Sequence, residues 1–201
     1  MVTILPLFII AISLFSLFRK RGIRAQQDTD SAFWEREEQA NNVRRKDISN
    51  LPYLTIPLNH FPIGICKTDE ISALESTLTE LSGQKILNLG RQTNTDLKLL
   101  YGTANIGLLT QYSNHYLLLC RTLTDYAAAL HANGYDREAV TVLEYEISTG
   151  SDSSTAYSLL ADLYIREGRP SAIDSLIAQA DALDSLMRAP ILAKLAEKQA
   201  S

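Results

Sequence analysis

Three histidines, His60, His115 and His131, and two cysteines, Cys66 and Cys120, are the side chains of this 201-residue chain best suited to metal ligation or nucleophilic attack. A structural or catalytic metal needs ligands at short, fixed spacings, and no histidine here has carboxylates or a second histidine so placed. The cysteines form no CxxC pair and are too few for a disulfide framework. They fit a reducing compartment, although a single bridge between them is compatible with the sequence. Cys120 sits in "YLLLCRTL", an apolar run that reads as core. Phosphate-binding loops, dinucleotide glycine patterns, HExxH, calcium loops and GxSxG are all absent. Asp125 and Asp162 read as charges on solvated helix faces. The chain therefore reads as non-enzymatic, with no cofactor and no metal, and its chemistry should be that of binding.

Charge is divided along the chain. Residues 1–46 hold eight Lys/Arg against five Asp/Glu, and residues 47–201 hold eleven against eighteen. An acidic domain of this kind is a poor match for nucleic acid. The overall composition, 46% hydrophobic and 21% charged, suits one globular domain with an appendage.

The appendage is "MVTILPLFIIAISLFSLF". Residues 2–18 carry no charge, and Arg19, Lys20, Arg21 and Arg24 follow at once. Roughly 17–25 apolar residues span a bilayer core, and a cleaved signal would carry its positive charge ahead of the apolar run. The segment reads as an uncleaved transmembrane anchor; the alternatives are a cleaved signal or a short buried helix. Basic residues remain on the cytoplasmic side. The expectation is therefore a single-pass protein of the cell membrane, with residues 2–18 in the lipid and the C-terminal domain in the cytoplasm. The basic residues of 19–46 either fix this topology or also attract anionic lipid.

The elements that must position any binding surface begin near Ser31. "SAFWEREEQANNVRRK" predicts a helix from Asp30 or Ser31, with Arg44, Arg45 and Lys46 in its last turn. Its few apolar residues leave it solvated, or resting on lipid through Phe33 and Trp34. Pro52, Pro57 and Pro62 then keep their predecessors extended. Residues 51–63 form a strap whose Tyr53, Ile56 and Phe61 should pack on the helices. The pattern "TDEISALESTLTELSGQ" predicts a helix capped by Thr68 or Asp69 and stopped at Gly83. A short helix capped by Asn94 or Thr95 should run to Gly102, and another should follow around Ile106–Tyr112.

From Ser113 the chain repeats. Leu123, Tyr126, Ala127, Leu130, Gly134, Ala139 and Leu143 are matched thirty-four residues later by Tyr157, Leu160, Ala161, Tyr164, Gly168, Ile173 and Ile177. Periodic apolar residues match easily between any two helices; a glycine in the same register does not. Each glycine supplies a left-handed turn between two helices, with Asp136 or Pro170 opening the second.

This 34-residue helix–turn–helix unit resembles the tetratricopeptide repeat. In the family pattern Tyr126 and Leu160 take the leucine position, Ala127 and Ala161 the small position, and Leu130 and Tyr164 the next aromatic one. Gly134 and Gly168 are the turn glycines, and Ala139 is the small residue of the second helix. The second unit has Ile173 there, with Ala172 one place early. Ala180 fits the later small position, where the first unit has Glu146. The whole chain is similar to uncharacterised membrane-anchored tetratricopeptide proteins of clostridial bacteria, through "FWEREEQANNVRRK", "TNTDLKLLYG" and "LLADLY".

The resemblance implies an all-α architecture: a transmembrane anchor at 1–18, a basic juxtamembrane segment and Pro-containing strap at 19–66, and a helical repeat domain at 67–201. The clearest units are 121–154 and 155–188. Two units cannot bury their faces alone, so the helices of 68–112 should close one end and "RAPILAKLAEKQA" the other. The resemblance further implies a peptide groove lined by the first helix of each unit. By position its residues are Arg121, Thr124, Ala128 and His131, then Thr155, Ser158, Asp162 and Arg166. Some relatives clamp a peptide carboxylate with Lys, Arg and Asn; here the Asn positions are absent. The implied function is that of a membrane-tethered adaptor for a protein or peptide partner. The alternative is a structural scaffold whose groove is filled by its own strap.

Overall fold

The computed structural model describes residues 31–199, and among them it is all-helical with no strand. The apolar run 2–18 and the basic residues that follow lie outside the described residues. No helix among the described residues is long and apolar enough to cross a membrane. The chain divides into two compact units, residues 31–46 with Thr93–Ile106, and residues 47–92 with 107–199. This division groups the short helix after Thr93 with the segment around Trp34, and groups the strap with the repeats.

In the first unit, α1 covers residues 31–41. It ends sooner than the sequence reading expects, so Arg44, Arg45 and Lys46 lie beyond its last turn. Two consecutive asparagines favour a turn there, and tertiary bonds then hold the chain extended. Lys46 N–H donates to the Tyr101 carbonyl at 3.0 Å, and the buried Asn105 amide donates to the carbonyls of Lys46 and Tyr101, both at 2.7 Å. The partner helix, α3 (Asn94–Tyr101), is capped by Thr93 and not by Asn94 or Thr95. Asp96 three residues on completes a reciprocal capping box with Thr93. Gly102 ends α3 at φ 84°, and a Cβ there would run into the Arg44 carbonyl group. Only glycine lets the two backbones approach this closely.

In the second unit, α2 (Asp69–Ser82) takes its N-cap from the Thr68 hydroxyl and buries Ile71, Leu78 and Leu81. α4 (Ile106–Ala132) is one continuous helix, where the sequence reading placed a short helix and then a second start near Ser113. No proline interrupts it, and its buried stripe of Leu109, Tyr116, Leu119, Leu123, Tyr126 and Leu130 runs unbroken past the polar "YSNH". That packed face stabilises the helix across residues of weak propensity. Then come α5 (Asp136–Ser148), α6 (Ser154–Arg166), α7 (Ala172–Asp181) and α8 (Arg188–Gln199). α7 starts two residues after Pro170, which lies in the preceding turn. α6 packs on α5, α7 and α8, and α7 packs on α8.

The two joints repeat in atomic detail. Gly134 has φ 85° and Gly168 φ 69°. Gly134 N–H donates to the His131 carbonyl and Gly168 N–H to that of Ile165, both at 3.0 Å. Tyr135 N–H reaches back to Leu130 at 3.0 Å and Arg169 N–H to Tyr164 at 2.8 Å. These are the helix-ending bonds that a left-handed glycine permits. They recur at the 34-residue offset.

The strap is part of the same core. Ile56 and Phe61 are buried in it, and Leu54 and Leu58 pack against it. Leu54 N–H donates to the Ile86 carbonyl at 2.9 Å, forming one isolated antiparallel bridge. Tyr53 meets Tyr112 edge-on at 5.6 Å, and Phe61 meets Tyr145 in the same way at 5.3 Å. Glu75 of α2 fastens the far end, accepting from Gly64 N–H at 2.8 Å and the Tyr126 hydroxyl at 3.0 Å.

Candidate interaction surface

The residues expected to line a groove are brought to the first helices of two successive pairs, α4 and α6, and most of them are open to solvent. Arg121 is 82% exposed and loosely paired with Asp125 one turn on, at 3.8 Å. Ala128 and Thr155 are exposed, and Ser158 is half-buried. The hydrogen bonds and ring contacts of the strap include Ile48, Glu75, Ile86, Tyr112 and Tyr145, none of which belongs to this face.

His131, Asp136 and Arg166 form a charged cluster that joins the two pairs. His131 Nδ1 lies 2.6 Å from one Asp136 oxygen, and Arg166 reaches the other at 3.2 Å. The second ring nitrogen of His131 lies 3.3 Å from the Arg166 guanidinium. Both terminal nitrogens of Arg166 are thus engaged, although the side chain remains 59% exposed. Asp162 is engaged differently. Lys198 of α8 pairs with it, and Lys194 donates to Ser154 at 2.9 Å, so α8 covers that end of the α6 face.

Thr124 departs from the expected set. It is 9% exposed, and its hydroxyl lies 3.0 Å from both oxygens of Glu146. The reason lies on α5. Glu146 occupies the position that Ala180 takes one unit later, and both are fully buried. A carboxylate placed there needs donors, and Thr124 together with Ser151, at 3.0 Å, supplies them. Burial pushes the Glu146 carboxyl up to about 7, against the opposing pull of the Ser151 and Thr124 hydroxyls. The sequence carried a signal for this site, a charge where the second unit has Ala180. Nothing in it marked Thr124 and Ser151 as the partners.

Among the described residues, Tyr157 carries a buried hydroxyl with no hydrogen-bond partner in the protein. Burial pushes this phenol up to about 12, with Asp152 and Glu146 adding to the effect. An unmade buried hydrogen bond costs about 1–3 kcal/mol, so Tyr157→Phe is expected to leave stability unchanged or raise it. Urea unfolding measures this directly, and a loss above about 1 kcal/mol would mean that the hydroxyl is satisfied after all.

The groups singled out for chemistry stay apart. His115 Nδ1 sits 2.9 Å from the Lys85 carbonyl, and His60 is exposed. Cys66 and Cys120 are both free and half-buried, and burial pushes the Cys120 thiol up, away from the reactive thiolate. Among the described residues no three His, Cys, Asp or Glu side chains gather to hold a metal ion. Farther along α5, Arg169 stacks 4.9 Å over the Tyr164 ring and reaches Glu144 at 3.7 Å, and the Tyr164 hydroxyl donates to Glu144 at 2.9 Å. That cluster satisfies itself. In comparisons with known proteins, the chain matches no family model, no curated protein and no solved structure.

Proposed function

We propose that this chain is a membrane-anchored, tetratricopeptide-like interaction module, a non-catalytic adaptor that offers the face of α4 and α6 to a protein or peptide partner. The observation that carries the reading is the pair of glycine joints whose hydrogen bonds recur thirty-four residues apart. Two helical hairpins related in this way set their first helices side by side, and stacked repeats use such extended surfaces for binding. The solvent-open character of Arg121, Ala128, Thr155 and Arg166 supports the same reading. The rival reading fills this face with the chain's own strap. Burial of Ile56 and Phe61 in the core, and the bonding of the strap to Ile86 and Tyr145, speak against it.

The test is a photo-crosslinking amino acid placed in the full chain, in the cells that make it. At Ala128 or Thr155 it should trap one discrete adduct that disappears with Arg166→Glu; at Thr141 on α5 it should trap none. Adducts equally strong at all three positions, or none at any, would overturn the adaptor reading.

A further inference from the structure

Phe33 and Trp34 are 54% and 67% exposed in the first described turn of α1, their rings edge-on at 5.4 Å. The rest of α1 has partners. Ala40 is buried, Glu37 pairs with Lys98 and accepts from Thr95, and Arg36 pairs with Asp96 at 2.5 Å. One edge of the helix is therefore held, while two large aromatic rings stay in water. A contiguous exposed apolar surface of this kind marks a contact site.

What covers the rings follows from where the chain comes from. Fourteen residues separate Phe18, the last of the uncharged run, from Phe33. Even fully extended at roughly 3.3–3.6 Å per residue, such a stretch reaches only about 50 Å. With residues 2–18 in a bilayer, the tether keeps the pair within about 50 Å of the lipid surface. Tryptophan favours the headgroup layer, where its ring is half in hydrocarbon and its N–H stays wet. The exposed charges beside the rings are mixed, Glu35 and Glu38 with Arg36 between them, and give no clear attraction to an anionic surface. Contact is therefore driven by the rings and not by charge.

We propose that Phe33 and Trp34 are a lipid contact, seating the first turn of α1 in the headgroup layer of the membrane that holds residues 2–18. The proposal rests on the anchor reading above and adds a second point of attachment to it.

Trp34 is the only tryptophan in the chain, so the native protein carries its own probe. The full chain is reconstituted in vesicles of phosphatidylcholine, alone or with a minority of phosphatidylglycerol, and flotation reports anchoring. Trp34 emission is then read against lipids brominated high on the acyl chain and against aqueous iodide. The expected result is blue-shifted emission, quenched several-fold more by bromolipid than by iodide and to a similar extent in both vesicle types. A chain that floats while its Trp34 is quenched by iodide alone overturns the contact and leaves the anchor standing. So does a blue shift without bromolipid quenching, which would place protein over the ring. A chain that fails to float overturns the anchor reading itself.

Discussion

Above pH 7, Glu146→Gln is expected to make the folded chain more stable than wild type by about 3 kcal/mol. The carboxyl titrates at its ordinary value of 4.5 when the chain is unfolded and near 7 when it is buried against Thr124 and Ser151. Below the lower value both states hold the proton, and the wild type has its full stability. Between the two values the unfolded chain has released the proton and the folded chain has not, so stability falls as pH rises. It stops falling once the folded carboxyl has ionised. Glutamine keeps the shape and the acceptor oxygen and has no proton to lose. Urea unfolding of both proteins from pH 4 to pH 8 should therefore show curves that start together and separate steadily. Parallel curves would mean that Glu146 ionises freely in the folded state and that the buried network is not as described.

Phe61→Ala should cost about 3–5 kcal/mol, the usual range for emptying a buried aromatic site. Phe61 is 6% exposed in the same core as Leu123 and Tyr157, and it meets the Tyr145 ring. Ile63, two residues on and 41% exposed, provides the control; Ile63→Ala should stay within about 0.5 kcal/mol. The contrast separates a docked strap from a loose one, since a strap awaiting an outside partner would tolerate both changes equally. Denaturant midpoints of the two variants give the answer.

The two predictions also show where sequence reasoning reached and where it stopped. Gly134 and Gly168 were legible because a left-handed turn is a local requirement that few other residues meet, and the structure puts both at positive φ. The Thr68 cap was legible for the same reason. Proline spacing fixed the strap as extended, and its apolar content pointed to burial. What escaped was set by distant partners. Arg44 to Lys46 look like the basic end of a helix until Tyr101, Gly102 and Asn105 draw them out straight. Thr124 looks like a surface residue of α4 until Glu146, a turn and a helix later, needs its hydroxyl. The polar "YSNH" looks like a break until the buried stripe on either side of it is seen to run through. In each case a long-range contact overrode a sound local preference.

α8 has a consequence for how long this assembly can become. Ile191 and Leu195 turn inward against α6 and α7, and Lys194, Lys198 and Gln199 tie to Ser154, Asp162 and Asp174. Its outward residues, among them Ala193, Ala196 and Glu197, are small or charged. Stacked helical pairs grow by offering each new neighbour an apolar side, and the exposed residues of α8 include no large apolar side chain. A further helical pair added on this side would meet alanines and charge in place of large apolar side chains, so α8 gives it a weak seat.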